Sequence, residues 1–252
     1  MISKIRISRL VYVICVIVSF LPFPVLGRGK VAPRVIDRLT VFNQYGKQWV
    51  AEGVKLNDEP DFGGAKYVMS PPLRQPEDNE ALWKALANGS LSIVVTDHCP
   101  FNFKSDKQRG RDNFALIPNG APGIEHRLAL LYTYGVATGR LSLNRFVEIF
   151  STQPAKHFGL HPRKGAIAIG SDADLVVFDP TIRGRISASR HHQRVDYTPF
   201  EGFETIGAPT HILVNGEVVA EGGKFIGTPG TGRFLPRKPT SIARNEQQFA
   251  RS

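Results

Sequence analysis

Cysteine, methionine and tryptophan are scarce, with two of each in 252 residues. The two cysteines, Cys15 and Cys99, exclude a disulfide scaffold and a Cys-rich zinc module. Histidine is sparse too, seven in all, and no two form an His-x-His pair. No Gly-x-Gly-x-x-Gly follows a strand-like run and there is no Walker pattern, so neither a dinucleotide fold nor a P-loop is supported. No apolar run reaches the roughly 20 residues that a membrane span needs, and no internal repeat is visible. What remains is a globular composition, 42% hydrophobic and 21% charged, which argues against a wholly disordered chain. The length allows one or two domains. A TIM barrel typically takes about 250 residues by itself, so a complete barrel and a second domain would not fit together.

Acidic charge is also in short supply: 22 Asp and Glu face 32 Lys and Arg, a formal net charge of +10. Spread over a folded surface, that excess would suggest nucleic acid or an anionic membrane. It sits at the ends instead. Lys4, Arg6, Arg9, Arg28 and Lys30 stand in residues 1–30 without an acid, and Arg233, Arg237, Lys238, Arg244 and Arg251 stand in 233–252 against Glu246. The body between them is nearly neutral, and no nucleic-acid partner is expected.

Lys4, Arg6 and Arg9 precede an apolar run, Leu10 to Leu21, broken only by Ser19 and followed by Pro22, Pro24 and Gly27. That order reads as a secretory signal or an anchor over 1–27. A buried hydrophobic helix, or sequence acquired by gene rearrangement and never used as a signal, reads the same way. Export or membrane association follows from the first pair of readings, with membrane contact only through 1–27 if they stay uncleaved.

Residues 28–60 are unassigned, although Val35–Phe42 could be a strand. Tyr67-Val68-Met69 reads as a short strand stopped by Ser70-Pro71-Pro72, since proline cannot donate to a ladder. A helix is expected over 77–88, with Leu82, Trp83 and Leu86 on its apolar face. The β-branched run Leu91–Thr96 suits a buried parallel strand, and the order strand, helix, strand gives an α/β reading. Helices are expected over 124–136 and 142–150, with Thr152 capping another near Pro154. Beyond Leu160 the texture turns to strand and turn. Asn215-Gly216 is a type I′ hairpin signal, and 233–252 is a basic tail that is irregular or an arm over a neighbour.

Asp97 is the strongest single candidate for chemistry. It ends an apolar strand-like run, where parallel α/β enzymes place catalytic groups. A carboxylate there can ligate a metal and take a proton from metal-bound water, or it can merely cap the next turn or pair with His98. His98 itself would point to the opposite face of the strand and is expected to be structural. Cys99 reads as a packing residue. His191-His192 could attract a metal, with a solvated or partner-facing loop as the competing reading.

Three stretches in order, Tyr67-Val68-Met69-Ser70-Pro71-Pro72-Leu73-Arg74, Thr96-Asp97-His98-Cys99-Pro100-Phe101 and Ile117-Pro118-Asn119-Gly120-Ala121-Pro122-Gly123-Ile124-Glu125, resemble the dihydropyrimidinase and D-hydantoinase group of cyclic amidohydrolases. The likeness continues through Ser151–Lys156, Gly170–Leu175 and His191–Tyr197. It ends with Val214-Asn215-Gly216 and Gly230–Phe234, so that it covers about residues 60–236.

The resemblance implies the C-terminal part of a metal-dependent (β/α)8 TIM-like barrel, its last two strands and following helices, over 61–160. Part of a small β-sandwich follows over 161–232. It also implies a hydrolase that opens 5,6-dihydropyrimidine or hydantoin rings to N-carbamoyl amino acids, usually with two zinc ions, in a cytoplasmic and commonly tetrameric enzyme. On this likeness Asp97 matches the last metal ligand and proton carrier. Ser70 and Asn119 match residues that hold the cyclic amide or imide largely through main-chain groups.

The family's other ligands are an His-x-His pair, a carboxylated Lys and two further His residues. The region that would supply them, strands one to six, finds no counterpart here, and of six ligands only Asp97 remains. The expectation is a hydantoinase-type fragment that is inactive by itself and can form a homo-oligomer. The alternatives are a non-catalytic scaffold or binding protein of the same fold, and an exported β-sandwich module.

Overall fold

In a computed structural model, which describes residues 12–15, 60–70, 73 and 76–238, the helix expected over 77–88 runs from Pro76 to Asn88 as α1. Its apolar face is inward: Trp83 and Leu86 are buried and Leu82 half-buried. Asn88 ends it, its Oδ1 accepting the Ser90 N–H at 3.0 Å. Leu91 N–H then donates back to Ala85 O at 2.9 Å, which turns the chain into the apolar run.

That run, Leu91–Thr96, forms no ladder among the described residues. Its burial is as expected at Leu91, Ile93 and Val94, but a parallel strand needs a neighbour's amides along its whole edge. Here the Val94 carbonyl accepts from Arg127 Nη1 at 3.1 Å instead. Burial pushes that guanidinium down to about 10. The short strand expected at Tyr67-Val68-Met69 also differs. Tyr67 closes a 3-10 segment, Pro60–Tyr67, and the Val68 carbonyl takes a single backbone bond, from Gly120 N–H at 3.1 Å. The strand proposed over Val35–Phe42 lies outside the described residues.

The helix expected from Ile124 starts later, as α2 (Arg127–Leu131), and widens into a π-helical turn over Tyr132–Val136. Its first residues are diverted because the Gly123 and Ile124 amides donate to His98 Nδ1, at 3.2 and 3.4 Å. Next, α3 (Leu143–Val147) passes through a π turn, Glu148–Thr152, into α4 (Gln153–His157). Thr152 does not cap α4. Its own φ and ψ are helical, −65° and −46°, whereas a cap must leave the helical region, and its Oγ donates to Gly165 O at 2.9 Å.

The strands β1 (Tyr12–Cys15), β2 (Leu175–Arg185), β3 (Glu204–Val214), β4 (Glu217–Glu221) and β5 (Lys224–Phe225) lie in that order in one sheet. β1 falls within the signal-like segment and runs antiparallel to β2, Tyr12 opposite Phe178 and Cys15 opposite Leu175. The β3–β4 hairpin turns at Asn215-Gly216, whose φ values of +50° and +86° are the two left-handed residues that a type I′ turn requires.

The chain divides into two compact units. Of the described residues, one holds 12–15, 143–182 and 206–238, and the other holds 60–70, 73, 76–142 and 183–205. Phe146, Ile149, Phe178 and Leu213 are buried in the first, and Leu86, Val94, Leu130, Leu131 and Phe200 in the second. No helix among the described residues is long and apolar enough to cross a membrane.

Candidate functional site

Ser70 and Asn119, 49 residues apart, meet: Ser70 Oγ donates to Asn119 Oδ1 at 3.3 Å. Both are exposed. The Asn119 amide nitrogen also donates to Ile117 O at 3.4 Å, which fixes the side chain over its own loop. Among the described residues the main-chain N–H and C=O of Ser70 and Asn119 make no hydrogen bond. Two segments distant in sequence are thus joined side chain to side chain, and main-chain groups without a partner among the described residues are left free to pair with a ring amide or imide edge.

Asp97 ends the Leu91–Thr96 run in a left-handed conformation, φ +45°, and is exposed. Its carboxylate has no hydrogen bond or ion pair among the described residues. Neither competing sequence reading holds there: it neither caps the following turn nor pairs with His98. Non-glycine residues seldom take that conformation, and the adjoining loops hold it. Cys99 N–H donates to Ala121 O at 3.4 Å, and His98 Nδ1 accepts the two amides of Gly123 and Ile124. Burial pushes the His98 ring down from its ordinary value, consistent with a neutral acceptor and a structural role. Cys99 is exposed rather than packed.

A metal centre does not fit these residues. No group of three or more His, Cys, Asp or Glu placed to hold an ion occurs among the described residues. His191-His192 forms no ligand group among the described residues, and the solvated-loop reading holds for His192, which is exposed, while His191 is half-buried. His191 stacks on His126 with ring centroids 6.0 Å apart and bonds Val195 O through Nε2 at 2.8 Å. His192 pairs with Glu125 at 2.9 Å.

The Ser70 and Asn119 segments meet, Asp97 carries a carboxylate without a partner among the described residues, and comparison with known proteins decides the lineage. Residues 65–219 match the amidohydrolase family. This chain belongs to that family. It is 47% identical over 208 residues to a D-hydantoinase of Geobacillus stearothermophilus, covering 82% of this chain and 44% of the relative. A solved D-hydantoinase from Bacillus sp. AR9 aligns with a TM-score of 0.71 and 52% identity, over 75% of this chain and 41% of that one. A dihydropyrimidinase from Brevibacillus agri aligns with a TM-score of 0.71 and 50% identity, over 74% and 40%. The chain spans less than half the length of the curated relatives it matches, which fits the C-terminal portion of such an enzyme.

Within this amidohydrolase, several residues that support the site escaped sequence reasoning. Glu125 accepts the backbone amides of His192 and Gln193 at 2.7 and 3.1 Å. Asp196 accepts those of Phe103 and Lys104 at 2.6 and 3.0 Å. Tyr197 donates to Gly120 O at 3.4 Å, and burial pushes its phenol well above the usual range. The signal was present in the His191–Tyr197 stretch, but its purpose, clamping the loops around residue 120, needs the tertiary structure.

His126 carries a pH prediction. It is 7% exposed, and the Gln193 amide nitrogen lies 3.1 Å from both His126 Nε2 and His191 Nδ1. That amide can donate to both rings only where the facing nitrogens are bare. Burial pushes His126 from 6.5 down to about 4; His191 adds to this, and Glu125 and Glu201 oppose it. The unfolded ring takes up its proton first, so this stabilisation is complete above about pH 6.5 and drains away towards pH 4, about 3 kcal/mol in all. Urea midpoints of wild type and H126F, compared at both ends of that range, should show the smaller acid loss in H126F. Equal losses would exclude His126 as the source.

Proposed function

We propose that this chain carries the ring-holding part of a hydantoinase-type site. It comprises the last two strand positions of the barrel, the following helices and part of the sandwich, and it binds a cyclic amide or imide such as 5,6-dihydrouracil or hydantoin. The observation that carries this reading is the meeting of Ser70 with Asn119, each with main-chain groups that have no partner among the described residues. The Asn119 and Ser70 amide groups would receive the ring's N–H and C=O.

Ring opening adds water across the amide carbon and breaks its bond to nitrogen, leaving an N-carbamoyl amino acid. In this reading Asp97 takes the water's proton and returns it to the departing nitrogen. Without the other ligands, one carboxylate cannot hold two divalent metals against water, so the chain by itself binds the ring without opening it.

Purified chain supplied with zinc should therefore open dihydrouracil no faster than Asp97→Ala. Turnover well above that variant would overturn the claim of inactivity. Isotope-labelled chain titrated with dihydrouracil or hydantoin should show saturable NMR shifts at the Ser70 and Asn119 amides. A silent titration would favour a non-catalytic scaffold of the same fold.

A further inference from the structure

Lys107 is fully buried. Its ammonium carries three N–H donors, and three carbonyls receive them: Val68 O at 2.8 Å, Pro118 O at 2.6 Å and Gly120 O at 2.8 Å. The Phe101 ring lies 5.8 Å from Nζ and helps cover the charge. Those carbonyls bracket the site. Pro118 and Gly120 flank Asn119, and Val68 stands two residues before Ser70. Carbonyls two residues apart face the same side of an extended chain, and the one between them faces away.

We infer that Lys107 is the positioning residue of the ring site, drawing the Pro118 and Gly120 carbonyls inward so that the main-chain groups of Asn119 stay turned out beside Ser70. The inference rests on the ring-binding reading above. A single buried cation joins two segments that are distant in sequence, and without its charge three carbonyls, one buried and two half-buried, would compete for fewer donors. A neutral amine offers two hydrogens and gives up one of the three bonds; Val68 O keeps the Gly120 N–H and Gly120 O keeps Tyr197, but Pro118 O has no second donor among the described residues, so loop geometry should follow the protonation of this group. Burial pushes Lys107 from 10.5 down to about 8, opposed by the nearby Cys99, which places that change within reach of experiment.

NMR of the full chain tests this. In the wild type, the carbonyl signals of Val68, Pro118 and Gly120 and the Asn119 amide should titrate together with a midpoint of about 8. Ring-induced shifts should weaken over the same range. K107M, with a side chain of similar length and no charge, should lower ring affinity about tenfold or more and remove the pH dependence. If K107M does not fold, the wild-type titration still decides. Ring binding that neither pH nor K107M alters would overturn this role alone. Absence of ring-induced shifts in the wild type would overturn the ring-binding reading, and this role with it.

Discussion

Asp174→Ala should destabilise the first unit by about 3–5 kcal/mol, the range for removing one partner of a buried ion pair. Asp174 is 1% exposed and Lys164 4%, and their side chains are in direct contact. The other Asp174 oxygen accepts the Asn215 N–H at 2.8 Å, while Gly216 N–H donates to Ala173 O at 2.9 Å. One carboxylate therefore neutralises a buried ammonium and anchors the β3–β4 turn. Asp172 adds a second contact to Lys164 at 3.0 Å and one to Arg163 at 2.9 Å, and those contacts hold its carboxyl below the usual range. Alanine would strand the Lys164 charge with Asp172 only and release the turn. Denaturant titration reads the loss. The double change K164M/D174L should recover most of it, because a buried pair replaced by apolar groups is near neutral. A double variant no more stable than Asp174→Ala would place the cost in the turn bond instead.

The same pair shows where sequence reasoning stops. The Gly170-Ser171-Asp172-Ala173-Asp174-Leu175 stretch was readable as a family element, and the Asn215-Gly216 turn was readable from chemistry, since two consecutive left-handed residues have few solutions. That one locks the other was not readable, because a hydrogen bond across 41 residues leaves no local pattern. Periodicity placed α1 correctly, since its buried face repeats every three to four residues. It misread Leu91–Thr96, because an apolar run reports burial on both sides and not the presence of a ladder. It also misread Thr152, whose cap chemistry was right in type but whose backbone stays helical through a π turn. Asp97 stands out both from its place at the end of the apolar run and from the resemblance, whereas Ser70 and Asn119 stand out through the resemblance alone. Lys107 was missed because a lysine in a polar loop reads as solvated, and its burial follows only from the carbonyls that converge on it.

Gly120→Ala should be as costly as Asp174→Ala, about 3–5 kcal/mol from overlap and backbone strain combined. A Cβ built there would lie 2.3 Å from the Cys99 carbonyl oxygen, 3.1 Å from Cys99 Cβ and 3.2 Å from the Phe101 ring, at φ +149°. The first distance is a collision with main chain, so a rotamer change cannot relieve it. Either the Cys99 segment shifts, moving Asp97 two residues upstream, or the Asn119 loop lifts. Lifting would pull the Gly120 carbonyl from Lys107 and Tyr197 and the Gly120 amide from Val68. Each course shifts the segment that carries Asp97 relative to the loop that carries Asn119.

Gly139→Ala supplies the control, a left-handed glycine, φ +76°, with nothing within 4 Å of its Cβ position. It should cost only the strain of about 1–2 kcal/mol. Urea midpoints should therefore separate the two variants by about 2 kcal/mol or more, and only Gly120→Ala should move the Asn119 amide resonance and weaken ring binding. Equal midpoints for the two variants, with Asn119 unmoved, would mean that Gly120 needs its conformation but not the close approach. The packing of the Cys99 segment against the Asn119 loop would then not be what holds the site together.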